Sequence, residues 1–193
     1  LGDGTTTDRT SPVAVNMSGA LSGQAVTTLS AGLDVSAVLA SPAVSTISPA
    51  NRFTYAANFG WLNWRTNPLA VDGPVIETTM LHGKVYSANV GWIDLGDGSP
   101  SAASGYSQTG GDVGVNHDGV GNLSGYAYGA NIGWISFGYG IALDSPNHPR
   151  VNYLTGELTG YAWSANCGWI NLASNGLRAA TIKYVDTDND GIA

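Results

Sequence analysis

The sequence predicts an all-β fold of repeated antiparallel hairpins or three-stranded meander units, arranged as a sandwich, a blade-like stack or a barrel-like closure. Three observations predict it. A segment of the form aromatic-x-Ala-Asn-x-Gly-Trp recurs four times, period-2 alternation of side chains runs out of the copies, and the composition is turn-rich, with 27 Gly and only 11% charged residues.

The four copies run from Tyr55 to Trp61, Tyr86 to Trp92, Tyr128 to Trp134 and Trp163 to Trp169. Their Trp-to-Trp spacings of 31, 42 and 35 residues hold the hairpin constant while the connections vary. At the centre of the copies, Asn58 and Gly60, Asn89 and Gly91, Asn131 and Gly133, and Asn166 and Gly168 suit a tight turn, because Asn tolerates the left-handed region and Gly takes positive φ. The flanking aromatics then become cross-strand pairs, each worth about 0.5 to 1 kcal/mol beyond area burial. Upstream, Leu123-Ser-Gly-Tyr-Ala-Tyr128 and Leu158-Thr-Gly-Tyr-Ala-Trp163 lengthen the last two copies, each preceded by a Val-Asn and a Gly-containing turn, which extends them to meanders.

Alternation makes the two faces of each hairpin different. In Trp92-Ile-Asp-Leu95 and Trp169-Ile-Asn-Leu172 the Ile and Leu share one face, supported by Val85, Ala127 and Ala162, and this aliphatic face must be core. Tyr126, Tyr128 and Trp134 fall on the other face, which is either a second buried layer or an exposed binding surface. Cys167 fills the variable slot held elsewhere by Phe59, Val90 and Ile132, so it reads as a small buried hydrophobe.

The organisation that follows is a β segment over residues 1–40, an extended linker or donated strand over 41–52, the four-copy repeat domain over 53–178, and a C-terminal strand with an acidic loop over 179–193. Over residues 1–40 the chain resembles part of one regulator-of-chromosome-condensation-type repeat, best in Leu1-Gly-Asp-Gly-Thr-Thr-Thr and Ser11-Pro-Val-Ala-Val15 and further through Val26-Thr-Thr-Leu-Ser-Ala-Gly32 and Asp34-Val-Ser-Ala-Val-Leu39. That family builds seven-bladed propellers from longer units than these, so the resemblance implies a β-rich unit and no exchange-factor activity. The Tyr-Ala-Trp-Ser-Ala-Asn-x-Gly-Trp-Ile-Asn pattern is similar to repeats of large exported bacterial proteins and implies a secreted or cell-surface location. Asp186-Thr-Asp188-Asn-Asp190-Gly191 resembles the calcium loops of dockerin, thrombospondin type 3 and EF-hand segments, in which alternate carboxylates wrap a hard cation; Ca²⁺ on Asp186, Asp188 and Asp190 is what that resemblance implies. A full loop would need a further carboxylate beyond Ala193 or from a neighbour, and with both ends inside such motifs the chain is expected to be part of something longer or a processed subunit.

Charge and motif content narrow the function. Seven basic residues against 14 acidic give a net charge of −7, with no basic stripe to neutralise phosphates, so nucleic acid is not an expected partner. No apolar run is long enough to span a bilayer as a helix. His82, His117 and His148 lie apart in sequence and read as surface or turn residues, Asp94 and Asp97 as turn formers, and no nucleophile elbow, phosphate loop or zinc spacing occurs. The expectation is a non-catalytic structural protein of the bacterial cell exterior, binding copies of itself through sheet edges and aromatic faces into a fibre, filament or surface layer. The alternatives are a carbohydrate-binding or adhesive module that stacks extracellular glycans on Trp61, Trp92, Trp134 and Trp169 or on the non-repeat Trp64, or a Ca²⁺-ordered spacer of a larger adhesin.

Overall fold

Strand-forming stretches of two to eight residues, separated by Gly-rich turns, give a chain whose described residues contain fifteen strands and no helix. The computed structural model describes residues 24–31, 36–42, 45–66 and 73–183. It divides into two units, Leu1–Ala43 and Val44–Ala193. The first holds an antiparallel pair, β1 (Gln24–Ala31) and β2 (Ser36–Pro42), with a bulge between Val26 and Thr28.

The second unit is a closed barrel. Its eight staves are β3 (Phe53–Ala56), β4 (Gly60–Asn63), β7 (Lys84–Ser87), β8 (Gly91–Asp94), β10 (Leu123–Gly129), β11 (Gly133–Phe137), β14 (Tyr161–Ser164) and β15 (Gly168–Asn171). Each repeat supplies one hairpin, so β3–β4, β7–β8, β10–β11 and β14–β15 follow one another around the wall, and β15 pairs back onto β3 through Ile170↔Ala56 and Asn171↔Tyr55. The sheet is therefore antiparallel and closed, not a sandwich and not a stack of blades. Hairpins so short can bury their aliphatic face only against one another, and eight strands enclose an interior that side chains can fill.

Inside, the registers set a small residue against a large one in each hairpin: Thr54↔Leu62, Val85↔Ile93, Ala127↔Ile135 and Ala162↔Ile170. Trp64, Leu95, Phe137 and Leu172 fill one end, all nearly inaccessible, and Phe59, Val90 and Ile132 close the other from the turns. The void left among these side chains is about 10 Å³, room for one water at most. The aliphatic face is core, as its alternation requires. Thr54 departs from the Val or Ala of the other copies because Trp64 brings an indole N–H into the interior, and Nε1 donates to Thr54 Oγ1 at 2.9 Å.

Shorter strands flank the barrel. β9 (Val115–His117) pairs with the first half of β10, completing the expected meander of the third copy, and β6 (Met80–His82) and β5 (Val75–Ile76) continue the sheet beyond it. In the fourth copy the long strand is interrupted at Gly160, so β12 (Arg150–Val151) and β13 (Leu158–Thr159) form a separate pair. Residues 45–48, within the stretch read as a linker or donated strand, bring Ile47 into the core, where it bridges Ala179.

The histidines depart from the sequence reading. His117 and His148 are buried, 3% exposed, because segments 40 and 7 residues away along the chain bring the carbonyls of Glu77 and Ile141 to their Nδ1 atoms. His82 is partly buried, 3.5 Å from Glu77. Cys167 is half-buried and packs against the core cluster.

Candidate functional site: an exterior aromatic belt

The repeated turn residues assemble at one end of the barrel. Positive φ falls on Gly60, Gly91, Gly133 and Gly168, between 72° and 85°, and not on the asparagines. Each Asn has a different task from the left-handed turn role its sequence suggests. Asn89 Nδ2 donates to the Phe59 carbonyl, Asn131 to Val90, Asn166 to Ile132 and Asn58 to Cys167, at 2.8 to 3.1 Å. Every hairpin tip is thus tied to the preceding one, and the last of these bonds closes the ring between first and fourth copies. A Cβ on each turn Gly would lie 3.1 to 3.5 Å from the neighbouring Asn amide, ordinary contact except at the tighter Gly168, so it is the positive φ that calls for Gly at these tips.

On the outer wall, Tyr55 meets Trp61, Tyr86 meets Trp92, Tyr128 meets Trp134 and Trp163 meets Trp169, with ring centroids 4.7 to 5.1 Å apart and planes inclined by 56° to 70°. These are the expected cross-strand pairs, and the structure places all eight on the exterior. Trp61, Trp92, Trp134 and Trp169 keep 54, 51, 53 and 45% of their surface open. Of the two readings of the aromatic face, the exposed surface is the one the barrel adopts, because closure leaves a single interior and the Ile and Leu positions already fill it.

Residues beyond the repeat signature complete the belt. Phe53, Tyr126 and Tyr161 make edge contacts with Trp61, Trp134 and Trp169 at 6.2 to 6.4 Å. The second copy has Lys84 there instead, ion-paired with Asp94. Between hairpins, Asn63 lies in register with Tyr86, Asp94 with Tyr128, Ser136 with Trp163 and Asn171 with Tyr55, so a short polar side chain stands beside every aromatic pair. The signal for these was present in the period-2 positions on either side of each copy.

Asp94 and Asp97 behave as turn and surface carboxylates: Asp94 Oδ1 accepts from Gly96 N and Asp97 Oδ1 from Ser99 N. Among the described residues no three His, Cys, Asp or Glu side chains gather to hold a metal ion, and no helix is long and apolar enough to cross a membrane. Asp186, Asp188 and Asp190 lie outside the described residues, as do residues 1–15 that resemble a propeller repeat. Comparison with family models, with curated proteins and with solved structures finds no match to the chain.

Proposed function

We propose that the barrel is a non-catalytic carbohydrate-binding or adhesive module of the bacterial cell exterior, with extracellular glycans as ligands. One observation carries this reading: four tryptophans, each about half open, ring the barrel beside short polar side chains. A half-open indole leaves apolar surface in water beyond what its ring contacts cover, so four such residues on repeat positions favour a surface used to bind something. A pyranose suits it, since its C–H face packs on the ring while its hydroxyls reach Asn63, Asp94, Ser136 or Asn171.

Self-assembly into a fibre or surface layer is the second reading, and it would rest on the same belt. Barrel closure leaves the staves no free edge, and the outer edge of β5 is covered where Lys183 N donates to the Ile76 carbonyl and Thr78 N to the Lys183 carbonyl. Within the second unit the aromatic faces are then the surface this reading uses to join copies. Iodide quenching of tryptophan emission, with and without immobilised glycan fragments, tests the first reading. Protection from iodide on glycan binding supports it, and unaltered quenching across neutral and acidic glycans sinks it. Light scattering in Ca²⁺ and in EGTA tests the second, which a 20 kDa particle in both buffers would remove.

A further inference from the structure

Among the described residues the four aromatic pairs are not equivalent, because two of them are walled. The connection over residues 95–114 folds along β10–β11, and that over 138–149 folds along β14–β15. Both walls are pinned alike: Tyr126 N donates to the Gly114 carbonyl and Tyr161 N to the Asn147 carbonyl, each at 3.0 Å. Both need the preceding glycine, since a Cβ on Gly125 would sit 2.4 Å from the Gly114 oxygen and one on Gly160 2.2 Å from the His148 oxygen. The Gly-Tyr step that lengthens the last two copies thus builds a groove beside the tryptophan.

The two grooves differ in size and charge. Trp134 borders two depressions of about 290 Å³ each, one carrying Asp97 and the Lys84-paired Asp94 on its wall and the other bordered by Gln108, Val113 and Tyr126. The one beside Trp169 measures about 550 Å³, is bordered by Tyr161, Ser145 and Asn147, and has no charged side chain among its lining residues. It also adjoins the longest connected run of rings on the exterior: Tyr139 stacks on Trp163 at 5.9 Å and 15°, Trp163 meets Trp169, and Trp169 meets Tyr161. The other hairpins link two or three rings.

We infer that the groove between residues 138–149 and β14–β15 is the principal glycan subsite and takes an uncharged oligosaccharide, with Trp169 and Tyr161 as the stacking platform and Asn147 and Ser145 as hydroxyl partners. This assignment rests on the carbohydrate reading above. Neutral lining selects against acidic sugars, because a carboxylate entering the groove loses water and meets no cation there. The volume lies in the range of small-molecule sites, whereas each depression beside Trp134 is about half as large and the one lined by Asp97 disfavours uronic acids.

The test is an array of immobilised neutral and uronic-acid oligosaccharides, followed by calorimetry with the best-retained soluble member, on the full chain and on Trp169→Ala, Asn147→Ala and Trp134→Ala. Circular dichroism confirms that each variant keeps the fold. The expected result is retention of neutral members, about a tenfold or greater loss of affinity in Trp169→Ala, a smaller loss in Asn147→Ala, and a loss in Trp134→Ala well below that in Trp169→Ala. Binding that is lost in Trp134→Ala but kept in Trp169→Ala, or confined to uronic acids, overturns the groove assignment while leaving the belt as a glycan surface. Retention of no array member overturns both.

Discussion

The inner and outer faces of the eight staves obey different rules. Inside, residue identity varies between copies, from Thr54 to Val85 and Ala127, and yet the space is sealed to about 10 Å³. Outside, the chemistry hardly varies, with a Trp in every copy and a Tyr or Trp opposite it, and yet the rings stand open to water. Packing tolerates exchange as long as volumes balance across facing strands, which is why a Trp64–Thr54 pair can occupy one corner and aliphatic pairs the others. The ring contacts of the exterior indoles leave about half of each open, and in the reading we propose this open half is the working surface.

The largest test of that contrast is removal of one tryptophan from each face. Trp64→Ala empties the sealed end of the barrel and strands Thr54 Oγ1, so it is expected to lower unfolding free energy by about 3 to 5 kcal/mol. Trp92→Ala removes an open ring and one edge contact, with an expected loss of about 1 kcal/mol. Urea denaturation of both variants measures the difference; equal losses would mean that the outer rings are structural after all.

The ring of tip asparagines is next in size. Asn89→Ala deletes one amide bond between neighbouring tips, and a loss of about 1 kcal/mol is expected. Asn58→Ala deletes the bond that joins the first hairpin to the fourth, so native-state hydrogen exchange in this variant should rise along the β15–β3 seam more than elsewhere. Uniform exchange would show that the ring is not a local clasp.

The buried histidine should make stability pH-dependent in a window that the exposed rings do not touch. Burial lowers the pKa of His117 below its ordinary 6.5, overcoming the opposing effect of its bond to the Glu77 carbonyl. As pH falls through 6.5 the unfolded chain takes up the proton first, so this contribution is complete above that pH and is lost as pH drops toward the folded pKa. Thermal melts between pH 7.5 and 5 should show falling stability that flattens in His117→Gln. Smallest of all is Lys84→Tyr, which restores the aromatic row in the second copy at the expense of an exposed ion pair; a change within about 0.5 kcal/mol is expected by urea denaturation.

Much of this architecture was legible because it is local. The four hairpins, their positive-φ glycines, the cross-strand partners and the aliphatic core face all follow from spacing within about ten residues, and the third meander from a few more. What escaped was non-local. The partner of each tip amide lies 30, 34, 41 or 109 residues away, so Asn could be read from sequence only as a turn former. His117 read as a surface or turn residue because the carbonyl that meets its Nδ1 comes from Glu77, 40 residues away.

By itself, the sequence determined a repeated all-β hairpin with one aliphatic and one aromatic side, since side-chain period and turn chemistry act over a few residues. Only the tertiary structure decided that the hairpins close into a barrel, which aromatics stay in water and which two are walled into grooves. Closure depends on strands more than a hundred residues apart meeting in register, and a closed sheet has room for one core, so the face that fills it leaves the other outside.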